Sequence, residues 1–155
     1  MGGYSKQEKI QTYCVVSKFE MAKLKVPVIS VIVGEGSSGG ALALGVGNKV
    51  FMLENAIYSI LSPEGYSSIL WKDSSRYKEA AEKMKLTAED LLELNVIDKI
   101  IPEKVGNIEE AFIQTSDYLK KEILNTLKEF KKMNTDEIVE QRYDKFRNMG
   151  EIMYL

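Results

Sequence analysis

Apolar and polar positions along this chain fall into blocks of two different periods, and Pro, Gly and Ser-Pro signals separate the blocks. From Ser5 to Lys25 the period is helical: Ile10, Tyr13, Cys14, Ser17, Met21 and Leu24 share one face, further apolar residues lie on others, and Pro27 stops the run. Val28 to Val33 is a short apolar, β-branched stretch that reads as a buried strand. The cluster Gly34-Glu35-Gly36-Ser37-Ser38-Gly39-Gly40 follows, and then Ala41 to Val46, small and apolar, predicts a short buried helix. Beyond the Gly47-Asn48 turn, Lys49–Leu53 and Ile57–Leu61 predict strands. Ser62 as N-cap, Pro63 at the first helical position and Glu64 in the first turn start a helix that runs to Trp71. Ser74–Met84 predicts another, and Thr87 with Asp90 resembles a capping box for a third that ends near Leu94. A strand lies within Val96–Ile101. Asn107 and Glu110 cap a long helix with Ile108, Phe112, Leu119, Ile123, Leu127 and Phe130 in one stripe, and Thr135 starts a last helix that Gly150 ends.

The predicted order is α-β-α-β-β-α-α-α-β-α-α. It describes an α/β fold in one domain over residues 1–155, with the helices of 108–150 as a C-terminal extension. Four short strands make a small sheet, so a partner or further chain is expected to complete it.

Composition narrows the chemistry. The 155 residues are 45% hydrophobic and 28% charged, with a net charge of −2, the profile of a globular domain without a basic field for nucleic acid. No apolar run approaches the ~18 residues of a membrane helix. The polar start MGGYSKQEK has no signal-peptide core, and a cytoplasmic location is expected. One cysteine, Cys14, excludes an internal disulfide or a Cys-rich metal site; it reads as a packed apolar residue. The sequence has no histidine, which removes Ser-His and Cys-His nucleophile pairs and histidine metal sites from this chain. Tyr66 and Trp71 read as packing residues, and Lys120, Lys121, Lys128, Lys131 and Lys132 as a solvated helix face.

The glycine cluster carries three overlapping motifs. Gly34-x-Gly36-x-x-Gly39 matches a dinucleotide fingerprint, with Glu54 ending the next strand as a ribose-binding acid; the helix that follows is short for that role. Gly36-x-Ser38-x-Gly40 matches a nucleophile elbow, for which Lys49 or Lys72 would have to replace histidine as base. The third reading is an oxyanion hole formed by the backbone N–H groups of Gly39 and Gly40, which needs no histidine. A turn that only packs helix on strand is the structural alternative.

Longer stretches carry a resemblance. Leu24–Ile29 (LKVPVI), GEGSSGGALA over Gly34–Ala43, GVGNKV over Gly45–Val50, SPEGYSSILWK over Ser62–Lys72, LNVIDKIIP over Leu94–Pro102 and EQRYDKFRNMG over Glu140–Gly150 stand in one order. Together they resemble the alpha subunit of bacterial acetyl-CoA carboxylase carboxyltransferases, from about Lys23 onward and more loosely over the first helix. The resemblance implies a crotonase-like spiral of ββα units, present here as a partial copy. It implies carboxyl transfer from carboxybiotin on a carrier protein to acetyl-CoA, giving malonyl-CoA for fatty-acid synthesis. The partners it implies are a beta subunit that carries a zinc ribbon, in an α2β2 heterotetramer, and the biotin carboxyl carrier protein; no metal is expected in this chain. Gly39 and Gly40 would be the alpha-side oxyanion pair, and Gly36, Ser38, Ser62, Pro63, Glu64 and Gly65 would line the biotin site.

Two departures stand out. Ser37 occupies a position where the family usually has glycine, and a loss of local backbone freedom is expected there. The family's N-terminal half, which contains a D-T-P-G-A-Y-P-G-like stretch, is expected to be missing. Two other functions therefore stay open, a non-catalytic assembly module and, through the elbow, a Ser-Lys peptidase of the same fold group.

Overall fold

The computed structural model describes residues 15–149. A helix, α1, occupies the described residues 15–22. Two ββα units follow: β1 (Ile29–Ile32), β2 (Glu35–Ser37) and α2 (Ser38–Leu44), then β3 (Lys49–Leu53), β4 (Ile57–Ser59) and α3 (Pro63–Trp71). The first strands of the two units pair in parallel, Ile29 opposite Lys49 and Ile32 opposite Met52. The second strands also pair in parallel, Glu35 opposite Ile57 and Ser37 opposite Ser59. After α4 (Tyr77–Lys83) and α5 (Ala88–Glu93), β5 (Lys99–Ile101) joins the free side of β3, giving the order β1-β3-β5. Helices α6 (Ile108–Phe130) and α7 (Thr135–Asn148) close the chain's described part. Stacked ββα units in two parallel sheets are the spiral that the sequence led us to expect.

Strand β3 is central, which explains its continuous run Val50-Phe51-Met52-Leu53: both faces are covered, and all four residues are buried. Ala56, Ala88, Leu91, Ile97 and Ile101 complete the core.

Local structure differs from the sequence reading in five places. Glu35–Ser37 is a strand, although it contains no β-branched residue; its pairing to β4 supplies what propensity does not. Helix α2 consequently begins at Ser38, three residues before Ala41, and takes Gly39 and Gly40 into its first turn. The Ser74–Met84 helix opens as a 3-10 turn over Ser74–Arg76, capped by the Asp73 carboxylate. The Thr87 box forms by half: Thr87 Oγ1 accepts from the Asp90 N–H, while the Asp90 carboxylate accepts from Thr87 Oγ1 and Lys85 Nζ. A complete capping box forms instead at Asn134 and Glu137. Along α6 only Leu119, Ile123 and Phe130 of the expected stripe meet the body of the protein closely, while Ile108 and Phe112 stay exposed. Period assigns residues to a face but does not say whether anything lies against it. Cys14 and Gly150 lie outside the described residues.

One buried side chain ties α7 to the segment that leads into β1. Arg142 of α7 is 2% exposed. Its Nη1 donates to the carbonyls of Met21, Ala22 and Leu24, its Nη2 to Val26 O and Asn48 Oδ1, and its Nε to Asn48 Oδ1. Asn48, wholly buried, donates to Ile138 O and Gln141 Oε1 and accepts from the Val28 N–H. The GVGNK turn and α7 thus hold the entry to β1 in place, and β1 leads into the glycine cluster.

Candidate functional site

The first three helical positions of α2 are Ser38, Gly39 and Gly40, after Ser37 at the N-cap. N–H groups at these positions have no acceptor within a helix. The Ser37 side chain does not cap them, and no acid stands in the first turn. In α3, α5, α6 and α7, by contrast, the residue at the N-cap accepts from the first turn. Outside the helix's own bonds, no oxygen among the described residues accepts from Gly39 or Gly40 N–H. A Cβ built on Gly40 would meet nothing within 4 Å, so the space in front of it is open.

Gly34 and Gly106 are likewise open, whereas Gly36, Gly45 and Gly47 answer to packing. A Cβ on Gly36 would meet Tyr58 Cδ2 at 3.1 Å and Ile32 Cγ2 at 3.3 Å. On Gly45 it would meet the Tyr58 hydroxyl at 2.4 Å, and on Gly47 it would meet Lys49 O, Ser30 Oγ and Val28 O at 3.0 Å each. Tyr58 is therefore a residue the sequence reading missed: it fills the space that Gly36 and Gly45 leave, and its hydroxyl lies 3.5 Å from Ala41 O. Burial pushes its hydroxyl pKa above the ordinary tyrosine value. Its only sequence signal is an aromatic residue in a short strand after a glycine pair.

Ser62, Pro63, Glu64 and Gly65 begin α3, with Ser62 Oγ accepting from Gly65 N–H at 3.2 Å. Because Ser37 stands opposite Ser59 in the β2–β4 pair, α2 and α3 both start beyond the same end of that ribbon. The structure therefore brings the two predicted groups to one edge. Ser62 and Glu64 are exposed there. Tyr66 packs edge-on against Trp71, ring centroids 5.7 Å apart, with the Arg76 guanidinium 4.3 Å above the indole, so both aromatics join α3 to the following turn.

The competing motifs meet geometric objections. A dinucleotide fingerprint requires a tight turn between strand and helix, but Gly36 lies within β2 and seven residues make the helix. Glu54 accepts from the Glu103 N–H. Ser38 has φ +61°, the strained geometry of an elbow nucleophile. Lys49, however, begins β3 opposite Ile29, at the end of the sheet away from the cluster, and is 3.6 Å from Asp98. No lysine among the described residues hydrogen-bonds Ser38, and Lys72 caps the far end of α3. The same distant end of the sheet holds Lys145, paired with Asp98 and pushed below the ordinary lysine range by burial, against which the Asp98 hydrogen bond and charge act.

Among the described residues no group of three or more His, Cys, Asp or Glu side chains is placed to hold a metal ion. No described helix is long and apolar enough to cross a membrane.

Comparison with solved structures defines the class. The chain aligns with transcarboxylase 12S, crystallised with methylmalonyl-coenzyme A and methylmalonic acid, with a TM-score of 0.62 at 16% identity over 85% of this chain and 26% of that one. It aligns with a probable enoyl-CoA hydratase from Mycobacterium thermoresistibile with a TM-score of 0.55 at 17% identity over 94% of this chain and 62% of that one. These likenesses establish a crotonase-like fold. The model of the acetyl co-enzyme A carboxylase carboxyltransferase-like family matches residues 2–150, and the chain belongs to that family. An acetyl-coenzyme A carboxylase carboxyl transferase subunit alpha from Clostridium botulinum is 50% identical over 149 residues, 96% of this chain and 54% of that protein. The subunit alpha of Bacillus velezensis is 48% identical over 151 residues, 97% of this chain and 46% of that protein. The chain spans about half the length of the curated relatives it matches.

Proposed function

We propose that this chain is the alpha-side component of a carboxyltransferase that moves a carboxyl group from carboxybiotin, presented on a carrier protein, to acetyl-CoA, forming malonyl-CoA. The observation that carries the reading is the uncapped first turn of α2, with Gly40 facing open space. As the carboxyl group leaves, negative charge gathers on the urea oxygen of biotin. The N–H groups of Gly39 and Gly40 donate to that oxygen and stabilise it, an effect worth ~3 kcal/mol per donor. The absence of a Cβ at Gly40 lets the oxygen come close. Gly36 supports this turn from behind through Tyr58, and Ser38 with the Ser62–Gly65 start of α3 borders the approach. The acceptor enolate belongs to acetyl-CoA on a zinc-ribbon beta subunit, in an α2β2 assembly in the cytoplasm; no nucleic acid is involved.

Substitution at the turn tests the reading. In an enzyme reconstituted with beta subunit and biotinylated carrier, Gly40→Val should lower malonyl-CoA formation by about 100-fold or more, the scale of losing one oxyanion donor. Ser38→Ala should cost far less, because its hydroxyl attacks nothing. Loss of transfer in a folded Ser38→Ala variant, with Gly40→Val unimpaired, would overturn the proposal and restore the elbow. A parent chain that binds the beta subunit yet supports no transfer would establish the assembly-module function instead.

A further inference from the structure

We infer that Tyr58 is a positioning residue whose ring sets the angle at which α2 leaves β2, and so aims the Gly39 and Gly40 N–H groups. Its effect on transfer rests on the carboxyltransferase reading; its effect on the helix does not. A helix of seven residues is too short to hold its own course, so its direction comes from its neighbours. The N-cap side chain does not tie its first turn. Its last residue is tied: Ser30 Oγ of β1 donates to Leu44 O at 2.6 Å, a carbonyl at the helix end that has no partner within the helix. One tie fixes a point, and a direction needs a second support.

Tyr58 supplies that support from the other sheet. Its backbone is held on two sides, opposite Gly36 in the β2–β4 pair and through its N–H to Leu86 O at 3.3 Å. Its Cδ2 meets the place of a Cβ on Gly36, and its hydroxyl the place of a Cβ on Gly45. One ring therefore spans the angle between β2 and the C-cap of the helix that follows it. Ala41 O already accepts from Gly45 N–H at 2.8 Å, so the Tyr58 hydroxyl, 3.5 Å from the same oxygen, adds little as a donor. The ring acts as a wedge. A sideways shift of ~1 Å at one end of a helix roughly 10 Å long tilts it by about 6°. Misplacement of donors on the 1 Å scale can cost a reaction about 100-fold.

Two measurements test this. Residual dipolar couplings, read by NMR on the full chain labelled with nitrogen-15 and weakly aligned, report the direction of each N–H. In a frame fixed by the β3 amides, the Gly39 and Gly40 couplings should change in Tyr58→Leu and stay at parent values in Tyr58→Phe, which keeps the ring. Gly45→Ala should change them too, because its methyl meets the Tyr58 hydroxyl while the backbone, at φ −75°, accepts it. Adding Tyr58→Phe to Gly45→Ala removes the clashing oxygen and should bring the couplings back toward the parent. In the enzyme reconstituted with beta subunit and biotinylated carrier, Tyr58→Leu and Gly45→Ala should each lower kcat about 10-fold or more, with KM for the carrier within roughly twofold of the parent. Tyr58→Phe should restore most of the kcat that Gly45→Ala loses. Unchanged couplings in folded Tyr58→Leu overturn the inference, and so does a double variant no better than Gly45→Ala. Altered couplings with kcat kept also overturn it. A parent that supports no transfer fails the carboxyltransferase reading instead, and the couplings then decide alone whether Tyr58 aims the helix. Should Tyr58→Leu unfold, the Gly45→Ala pair decides.

Discussion

Ser38 holds φ +61°, in the region where a side chain is strained by about 1–2 kcal/mol. Ser38→Gly should relieve much of this and raise Tm by about 2–4 °C in a thermal scan, whereas Ser38→Ala, which keeps a Cβ, should leave Tm near the parent value. A fall in Tm for Ser38→Gly would show that the strain is absent. One residue earlier the sequence misled us. Ser37 in place of the family's usual glycine was expected to restrict the backbone, yet its φ of −137° and ψ of 161° are extended values that any residue adopts. A motif gives the residue types of a turn but not their dihedrals, so glycines needed for approach, for packing and for neither look alike in it. Gly47 belongs to the packing kind, with three oxygens 3.0 Å from a built Cβ, two of them backbone. Gly47→Ala should cost about 1–3 kcal/mol by chemical denaturation, the usual scale of overpacking; a neutral result would mean that the β1–β3 junction yields easily.

Most elements were legible where a local chemical signal marks them. Pro63 and Ser62 placed α3, and Asn107 placed α6. β2 was not legible, because its stability comes from a strand 22 residues further along the chain and not from its own side chains. α7 was legible as a helix but its task was not: a charged residue in a helical stripe gives no hint that carbonyls from the other end of the domain converge on it. Arg142→Leu should therefore destabilise by at least ~3 kcal/mol, since it orphans buried acceptors. Asn134→Ala, which removes only the cap of the same helix, should cost ~1 kcal/mol. Equal effects in denaturation curves would refute the special role of Arg142. Lys145 adds a pH signature to this helix. Its pKa is lowered in the folded state, so the unfolded chain binds more protons, and stability should rise with pH from the depressed folded value toward the ordinary lysine value of about 10.4. In Lys145→Met that rise should flatten; an unchanged slope on the acid side of the ordinary lysine value would place the titration elsewhere.

At the scale of the molecule, fold class and the location of the candidate site came from the sequence, through glycine spacing and the order of the motifs. The twinning of the two ββα units did not, because β2 was unseen and the repeat appears only when both strands of each unit are recognised. The unit geometry argues against a dinucleotide, and calorimetry with NADH should give no binding tighter than ~1 mM. The exposed Val33, Leu44, Ile60, Ile69 and Leu70 argue for association, and sedimentation of a stable monomer at high concentration would contradict it. The Arg142 clamp also sets a clock. The carbonyls it binds lie 116 to 121 residues earlier in the chain. At ribosomal speeds of about 5–20 residues per second, roughly 6–24 s separate the making of those carbonyls from the making of the side chain that fixes them. Throughout that interval β1 can already pair with β3, but the carbonyls of Met21, Ala22, Leu24 and Val26 wait on the nascent chain without the guanidinium that fastens them.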